Sequence, residues 1–392
     1  MLSYCVTSLD GREIKSLRPS AALMPASNTK LFTCALALES FDPYTSPGND
    51  LELFIEDKCL QLNFHGNLFF SARYREPQFI DSAITQLAQA IKETGQSRFK
   101  SLHLHCETPF LKPLPDYPCV SFISFNENTV DVSVKNAEVT TSPARQSSFE
   151  LIADTKISSQ SRTNSSIFYK PHVNSEDYWR LEGNNWTYEI LKAELHKHGI
   201  HIDTQSDTAL RNPQKLQSFS SPISTLDLIT SSLRFSDNFR AELLALHLRR
   251  MQKTADLNSG FNSLRKSIDL KKSLLMDGSG LSRLNRSSTR DICKLLSHMH
   301  QSKHRELWHR AMAYAGQEGT LSKTSKNLLP QNRFWGKTGT LRDARALSGY
   351  YRKQNGEIVI VSVLQNQANC SKFSESVIKL LREIDEEQTN TN

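Results

Sequence analysis

The stretch Pro25-Ala26-Ser27-Asn28-Thr29-Lys30 stands at the head of an apolar run, Leu-Phe-Thr-Cys-Ala-Leu-Ala-Leu over 31–38. The run predicts a helix that begins near Ser27. Residues three apart share a helix face, which would bring Ser27 and Lys30 together. A serine hydroxyl is a poor nucleophile at neutral pH and needs a base within hydrogen-bond reach. A lysine with a lowered pKa is such a base. The helix start adds unpaired N–H groups able to hold an oxyanion, and a positive dipole end that disfavours the lysine's charge. Taken alone the pattern is weak, because Ser-x-x-Lys is common at ordinary helix starts.

Two further stretches give it weight. Ser236-Asp237-Asn238 precedes a helical-looking run over 239–249, and Lys337-Thr338-Gly339-Thr340 opens a segment that reads as a strand. Together the three resemble the signature set of penicillin-binding proteins and serine β-lactamases. The finer pattern resembles the low-molecular-mass class C penicillin-binding proteins, the D-alanyl-D-alanine carboxypeptidase/endopeptidase family S13. The residues that carry this are Pro25–Lys30, Ser236–Asn238 followed by Ala241-Glu242, Asp277-Gly278-Ser279-Gly280-Leu281-Ser282-Arg283, and Gly336–Leu341 leading to Ala346-Leu347-Ser348-Gly349-Tyr350. The likeness is specific over about 1–50 and 220–365 and weak between them.

The resemblance implies acyl transfer through a covalent serine ester, without metal or cofactor. Ser27 is then the nucleophile and Lys30 its base. Ser236 relays a proton from Lys30 to the leaving amine, and Asn238 donates to the substrate amide. Lys337 brings a positive charge opposite Ser236, suited to a C-terminal carboxylate, with Thr338 and Thr340 adding hydroxyl donors. Gly339 lets the substrate backbone run along the strand as an added β-partner. The N–H groups of Ser27 and Thr340 form the oxyanion hole. The implied partners are peptidoglycan stem peptides and β-lactams. Class A β-lactamases place a glutamate in a Glu-x-x-Leu-Asn stretch after the second motif. The nearest stretch here, Thr254-Ala255-Asp256-Leu257-Asn258, lacks it. A long-lived β-lactam adduct is therefore expected over turnover. The rival readings are a non-catalytic wall-binding relative, and a serine esterase or β-lactamase on the same fold.

Composition narrows the field further. The 392 residues have room for two or three domains. No stretch approaches the length of a transmembrane helix, so any membrane association would be peripheral. The formal charge of +7 is spread along the chain, which argues against nucleic acid as a partner. The seven cysteines form no Cys-x-x-Cys, and the pairs His103/His105 and His196/His198 fit a strand face and a solvated helix end. Free buried thiols are expected, with a Cys106–Cys119 bridge as the alternative. The first residues carry no basic start, apolar core or cleavage site, so they do not read as a signal peptide. The resemblance nevertheless implies a periplasmic protein, so an export segment is either missing from this sequence or lost.

Along the chain, 4–8 and 13–16 read as a first hairpin and 51–55 and 59–64 as strands. An amphipathic helix is expected over 78–94, and strands over 101–105, 120–124 and 129–134. The segment 142–166, rich in Ser and Thr, reads as weakly structured. Arg73-Tyr74-Arg75-Glu76-Pro77 stands where the family usually has Gly-Asp-Pro, and Asn126–Val130 again looks like the family. The helix over 186–198 reads as re-entry into the catalytic part. Helices over 225–233, 239–251 and 284–300, strands over 344–351 and 357–364 and a closing helix over 373–384 follow. The expected fold is α+β: a transpeptidase-like antiparallel sheet covered by helices, with a β-rich accessory domain inserted. Expected boundaries are 1–58 plus 176–392 for the catalytic domain and 59–175 for the insert.

Overall fold

The computed structural model describes the chain except 74–77, 107–121, 125–126, 128, 136–137, 143–149, 154–160, 163–165, 170–174, 181–182, 255–256, 325–328, 368–369 and 387–392. It divides into two compact units: Met1–Pro47 with Ser224–Asn392, and Gly48–Ile223.

In the first unit, β1 (Leu2–Thr7) and β2 (Glu13–Leu17) form a hairpin, and a single 3-10 turn, Ala26–Asn28, leads into α1 (Thr29–Ser40). The second segment supplies α2 (Thr225–Arg234), α3 (Asn238–Met251) and α4 (Thr289–Gln301). It ends with β3 (Ala313–Tyr314), β4 (Phe334–Leu341), β5 (Ala344–Arg352), β6 (Ile358–Asn366) and α5 (Phe373–Glu386). The strands form one antiparallel sheet in the order β3-β4-β5-β6-β1-β2. The first strand therefore zips onto the last, with Leu2 opposite Gln365 and Thr7 opposite Ile360.

Helices cover both faces. The apolar stripe of α5, including Val377, Leu380, Leu381 and Ile384, packs on one face against Val6, Leu347, Val359 and Val361. On the other, α4 lies over β6 and β1. Strands β5 and β6 are accordingly buried on nearly every residue, not on alternate ones. Helix α1 is buried from Thr29 to Leu38 and is contacted by α2, α3 and α4. A helix apolar on every side belongs in an interior. Local caps agree with the boundaries: Ser224 and Asp227 make a capping box at α2, and Asp237 and Ser288 cap α3 and α4.

The second unit has a five-stranded mixed sheet, in the order His201–Ser206, Arg98–His105, Cys59–Asn63, Leu51–Glu56, Gln214–Phe219. Helices Gln78–Lys92 and Gly183–Lys197 share its core through Ile84, Leu87, Ile91, Ile190, Leu191 and Leu195. Two three-stranded sheets accompany it. Strands thus outnumber helices among the described residues of this unit, as expected of a β-rich accessory domain. Its limits differ from the expected 58/59 and 175/176. Leu51–Glu56 is hydrogen-bonded between Cys59–Asn63 and Gln214–Phe219, so neither outer strand can be assigned elsewhere. The helix read as re-entry into the catalytic part belongs here because Ile190, Leu191 and Leu195 pack into this unit's core. Residues 122–124, expected as strand, are not in one. Glu127 is enclosed and accepts from Ser71 Oγ at 2.8 Å. Among the described residues Cys5, Cys34, Cys59, Cys293 and Cys370 are free thiols, and the Cys106–Cys119 pairing, most of 142–166 and positions 74–77 of the Arg73–Pro77 departure lie outside the described residues.

Helix α5 is also tied by charge. Asp385 accepts from Arg333 Nη2 at 2.8 and 2.9 Å and from Tyr351 Oη at 2.8 Å. Hydrogen bonds to a half-buried charge are each worth about 1.5–3 kcal/mol. Asp385→Ala should therefore lower the urea midpoint by an amount equivalent to about 2–3 kcal/mol. An unchanged midpoint would mean that the apolar face alone holds the helix.

Candidate active site

The three motifs of the first unit converge on one place. Ser27 lies in the 3-10 turn and Lys30 in the first turn of α1, so the helix proper begins two residues later than expected, at Thr29. The spacing still works: Lys30 Nζ is 3.1 Å from Ser27 Oγ. It also donates to Asn238 Oδ1 at 2.7 Å and to the carbonyl of Ser279 at 2.7 Å. Lys337 Nζ donates to Ser236 Oγ at 2.9 Å and to the carbonyl of Thr338 at 2.9 Å. The structure thus joins Lys30 to Ser27 and Asn238, and Lys337 to Ser236.

The turn that carries Ser27 is tightly constrained. Ala26 has φ +48°, in the left-handed region, and its carbonyl accepts from Thr29 Oγ1 at 2.9 Å. Ser236 has φ +63°. Such conformations cost about 1–3 kcal/mol each and persist only where the surroundings enforce them. Here glycines supply the room. Gly280 has φ +91°, and a Cβ on it would sit 1.9 Å from the Ala26 carbonyl oxygen. A Cβ on Gly339 would come within 3.0 Å of the Pro25 carbonyl and 3.1 Å of Ala26 Cβ, so β4 packs directly on the nucleophile turn. Behind it, Asn28 Nδ2 donates to Ser348 Oγ on β5 at 2.7 Å.

Asn238 and Glu242 are four residues apart on one face of α3. The Glu242 carboxylate accepts from the backbone N–H of Gly278 at 3.0 Å and of Ser279 at 2.7 Å. Asp277 accepts from the N–H of Gly280 at 2.8 Å and of Ser282 at 2.6 Å. Thr33 Oγ1 donates to the Gly278 carbonyl at 2.8 Å. The 277–280 turn is therefore locked from three sides, and it presents the Ser279 carbonyl to Lys30. The Ser279 carbonyl is not legible in the sequence, since a backbone atom has no residue-type signal. Glu242 was legible only as part of a family pattern.

Burial sets the electrostatics. Lys30 and Lys337 are both 0% exposed. Loss of solvation brings Lys30 from 10.5 down to about 8, against the opposing pull of Glu242, Asp277 and Asp237. Loss of solvation, with the nearby Lys30 charge, holds Lys337 well below the ordinary lysine range. Burial, reinforced by Asp277, pushes Glu242 up. Lys337 faces Ser236, as expected, from an enclosed position.

Strand β3 pairs only with Trp335 and Gly336 of β4. Among the described residues no strand pairs with 337–341 on that side. A peptide could add there as a strand and bring a carbonyl to Ser27. A cavity of about 660 Å³ adjoins the same stretch, bordered by Thr338, Gly339, Thr340 and Arg345.

The model of the D-Ala-D-Ala carboxypeptidase 3 (S13) family matches residues 178–384, just over half of the chain. A D-alanyl-D-alanine carboxypeptidase from Actinomadura sp. (strain R39) is 27% identical over 199 residues, 47% of this chain and 35% of the relative. The match thus spans about a third of that curated relative's length. Among solved structures, penicillin binding protein 4 from Haemophilus influenzae superposes with a TM-score of 0.76 at 17% identity, covering 98% of this chain and 96% of that one. A predatory peptidoglycan endopeptidase from Bdellovibrio bacteriovorus gives a TM-score of 0.55 at 12% identity, covering 97% and 92%. At these identities the likeness is one of fold, and it extends over nearly the whole chain.

The Glu242 charge favours the protonated form of Lys30. Removing it should lower the Lys30 pKa further. Modification of Ser27 by a serine-directed electrophile should rise with pH through about 8 in the parent and through a lower midpoint in Glu242→Gln. A midpoint that moved up, or stayed fixed, would contradict this electrostatic coupling.

Proposed function

Because the chain belongs to the D-Ala-D-Ala carboxypeptidase 3 (S13) family, we propose that it is a serine-type D-Ala-D-Ala carboxypeptidase, with endopeptidase action on peptidoglycan cross-links, working through an acyl-Ser27 intermediate. The observation that carries this is the set of partners around Lys30. A neutral amine has two hydrogens and one lone pair. The Ser279 carbonyl and Asn238 Oδ1 can only accept, so they take the two hydrogens. The lone pair is left for the third partner, the Ser27 hydroxyl at 3.1 Å. With a pKa of about 8, roughly one Lys30 in ten is neutral at pH 7, against roughly three in ten thousand for an ordinary lysine.

On this reading Ser27 Oγ attacks the carbonyl of the penultimate D-alanine as Lys30 takes its proton. The N–H groups of Ser27 and Thr340 hold the developing oxyanion, each worth about 3–4 kcal/mol of barrier. Ser236, hydrogen-bonded to Lys337, relays the proton that Lys30 has taken from Ser27 to the departing amine, which leaves Lys30 neutral again. Asn238 and the open edge of β4 align the acyl side, with Gly339 leaving space for its backbone. Water then releases the acyl group. All these residues lie in the first unit, the catalytic part; the second unit is an inserted accessory part. A β-lactam presents a strained amide to the same nucleophile and should acylate Ser27. The H. influenzae protein has been solved in complex with a β-lactam. Among the described residues no helix is long and apolar enough to cross a membrane. The proposed substrate places the site of action in the periplasm.

Intact-mass spectrometry after benzylpenicillin should show a one-to-one adduct on the parent and none on Ser27→Ala. D-alanine release from a stem pentapeptide should fall by on the order of 10⁶ in Ser27→Ala. A folded parent that forms no adduct and releases no D-alanine would point to the non-catalytic relative. Rapid destruction of the drug without peptide cleavage would point to a β-lactamase.

A further inference from the structure

Strand β4 loses its β3 partner after Gly336. Trp335 lies just inside that point, opposite Tyr314 of β3 and Tyr350 of β5. Its indole stacks against both, 5.8 Å from Tyr314 at 8° and 5.6 Å from Tyr350 at 22°. Residues two apart on a strand share a face, so Trp335 and Lys337 project to the same side of the sheet. Trp335 is 6% exposed, and a buried N–H needs an acceptor. Its Nε1 donates to Nδ1 of His309, on the helix Arg305–Ala311, at 2.7 Å.

That bond fixes the tautomers. An indole N–H can only donate, so His309 Nδ1 carries no proton. The ring proton is then on Nε2, which donates to His300 Nδ1 on α4 at 2.9 Å. Neutral His309 satisfies both neighbours, whereas an imidazolium would set an N–H on Nδ1 against the indole N–H. The ring also packs on Tyr350, with centres 4.3 Å apart. Tyr350 is itself held, its Oη donating to the Leu296 carbonyl at 2.7 Å and accepting from Trp308 Nε1 at 2.9 Å.

The surroundings resist a charge on His309. Helix α4 faces it with His300, β4 with Trp335 and β5 with Tyr350, while β3 places Tyr314 against the indole. On its own helix Arg305, Glu306 and Arg310 are exposed, and at the end of α2 Arg234 bonds the Arg310 carbonyl. Burial, with His300 and Arg305, brings His309 from 6.5 down to about 4.

We infer that His309 is a positioning residue for the active site: its unprotonated Nδ1 holds Trp335, and Trp335 holds β4 where the strand leaves its last partner and presents Lys337 to Ser236. The effect on rate rests on the peptidase reading above; the hold on Trp335 does not. Lys337 reaches Ser236 Oγ at 2.9 Å, so a small shift of β4 breaks that contact. The stability supplied by the neutral ring is complete above about 6.5 and is lost as pH falls from there through about 4.

The test uses the full chain. At pH 8, His309→Leu, which removes the acceptor, should slow acylation of Ser27 by benzylpenicillin about 10-fold, in the acylation step and not in drug binding. Trp335→Phe, which keeps a ring and removes the donor, should do the same. His309→Asn places an amide oxygen near the site of Nδ1 and should restore most of the rate. The indole N–H signal of Trp335, identified by its loss in Trp335→Phe, should move in the parent as pH falls towards about 4 and stay fixed in His309→Asn. A general disturbance of the fold would weaken drug binding and acylation alike. Acylation of His309→Leu and Trp335→Phe at the parent rate, no recovery in His309→Asn, or an indole signal indifferent to pH overturns the positioning role. A parent that benzylpenicillin does not acylate overturns the peptidase reading instead, and the indole titration then decides whether His309 holds Trp335.

Discussion

The amine of Lys30 sits in a fully enclosed position with three oxygen neighbours, two of which can only accept. As an ammonium it could donate to all three. As an amine it donates to Ser279 and Asn238 and turns its lone pair to Ser27. The surroundings must therefore keep the balance near the point where the amine is accessible without being permanent. Burial drives the pKa down, and the carboxylates of Glu242, Asp277 and Asp237 draw it back up. Burial wins, because all three carboxylates act without a direct hydrogen bond to Nζ while the loss of water is complete.

Much of the first unit serves that arrangement. Helix α1 is enclosed by other helices, and Lys30 on it is fully buried. Glu242 and Asp277 lock the turn that offers the Ser279 carbonyl. Gly280 and Gly339 let that turn and β4 approach the Ser27 turn more closely than any side chain would allow. The left-handed conformations at Ala26 and Ser236 are local costs that these contacts offset. In the sheet that carries Lys337 the chain's first strand pairs with its last, which ties the segment leading to α1 to the same sheet as β4.

What could be read in advance followed the strength of local signals. Ser27 and Lys30 were legible because a three-residue spacing at a helix start has one geometric meaning. The helices α2 to α5 and the strands β5 and β6 came out nearly in place because their apolar patterns and caps agree. The Ser279 carbonyl and the cavity at Arg345 were not legible, since both arise from segments distant in sequence. The boundary of the second unit failed for a similar reason. Strand Leu51–Glu56 finds its partner Gln214–Phe219 across more than 150 intervening residues. Helix Gly183–Lys197 has the same amphipathic pattern whichever core receives it. The enclosure of Lys337 was not legible either, since burial is a property no motif records.

The most direct test of the account is the ionisation of Lys30 itself. Lysine side chains labelled at Cε and Nζ can be titrated by NMR in the intact protein, with the Lys30 signal identified by its loss in Lys30→Arg. A midpoint near 8 is predicted. A Lys30 that remains protonated until its ordinary value of 10.5 would contradict the claim that this site holds a base for Ser27.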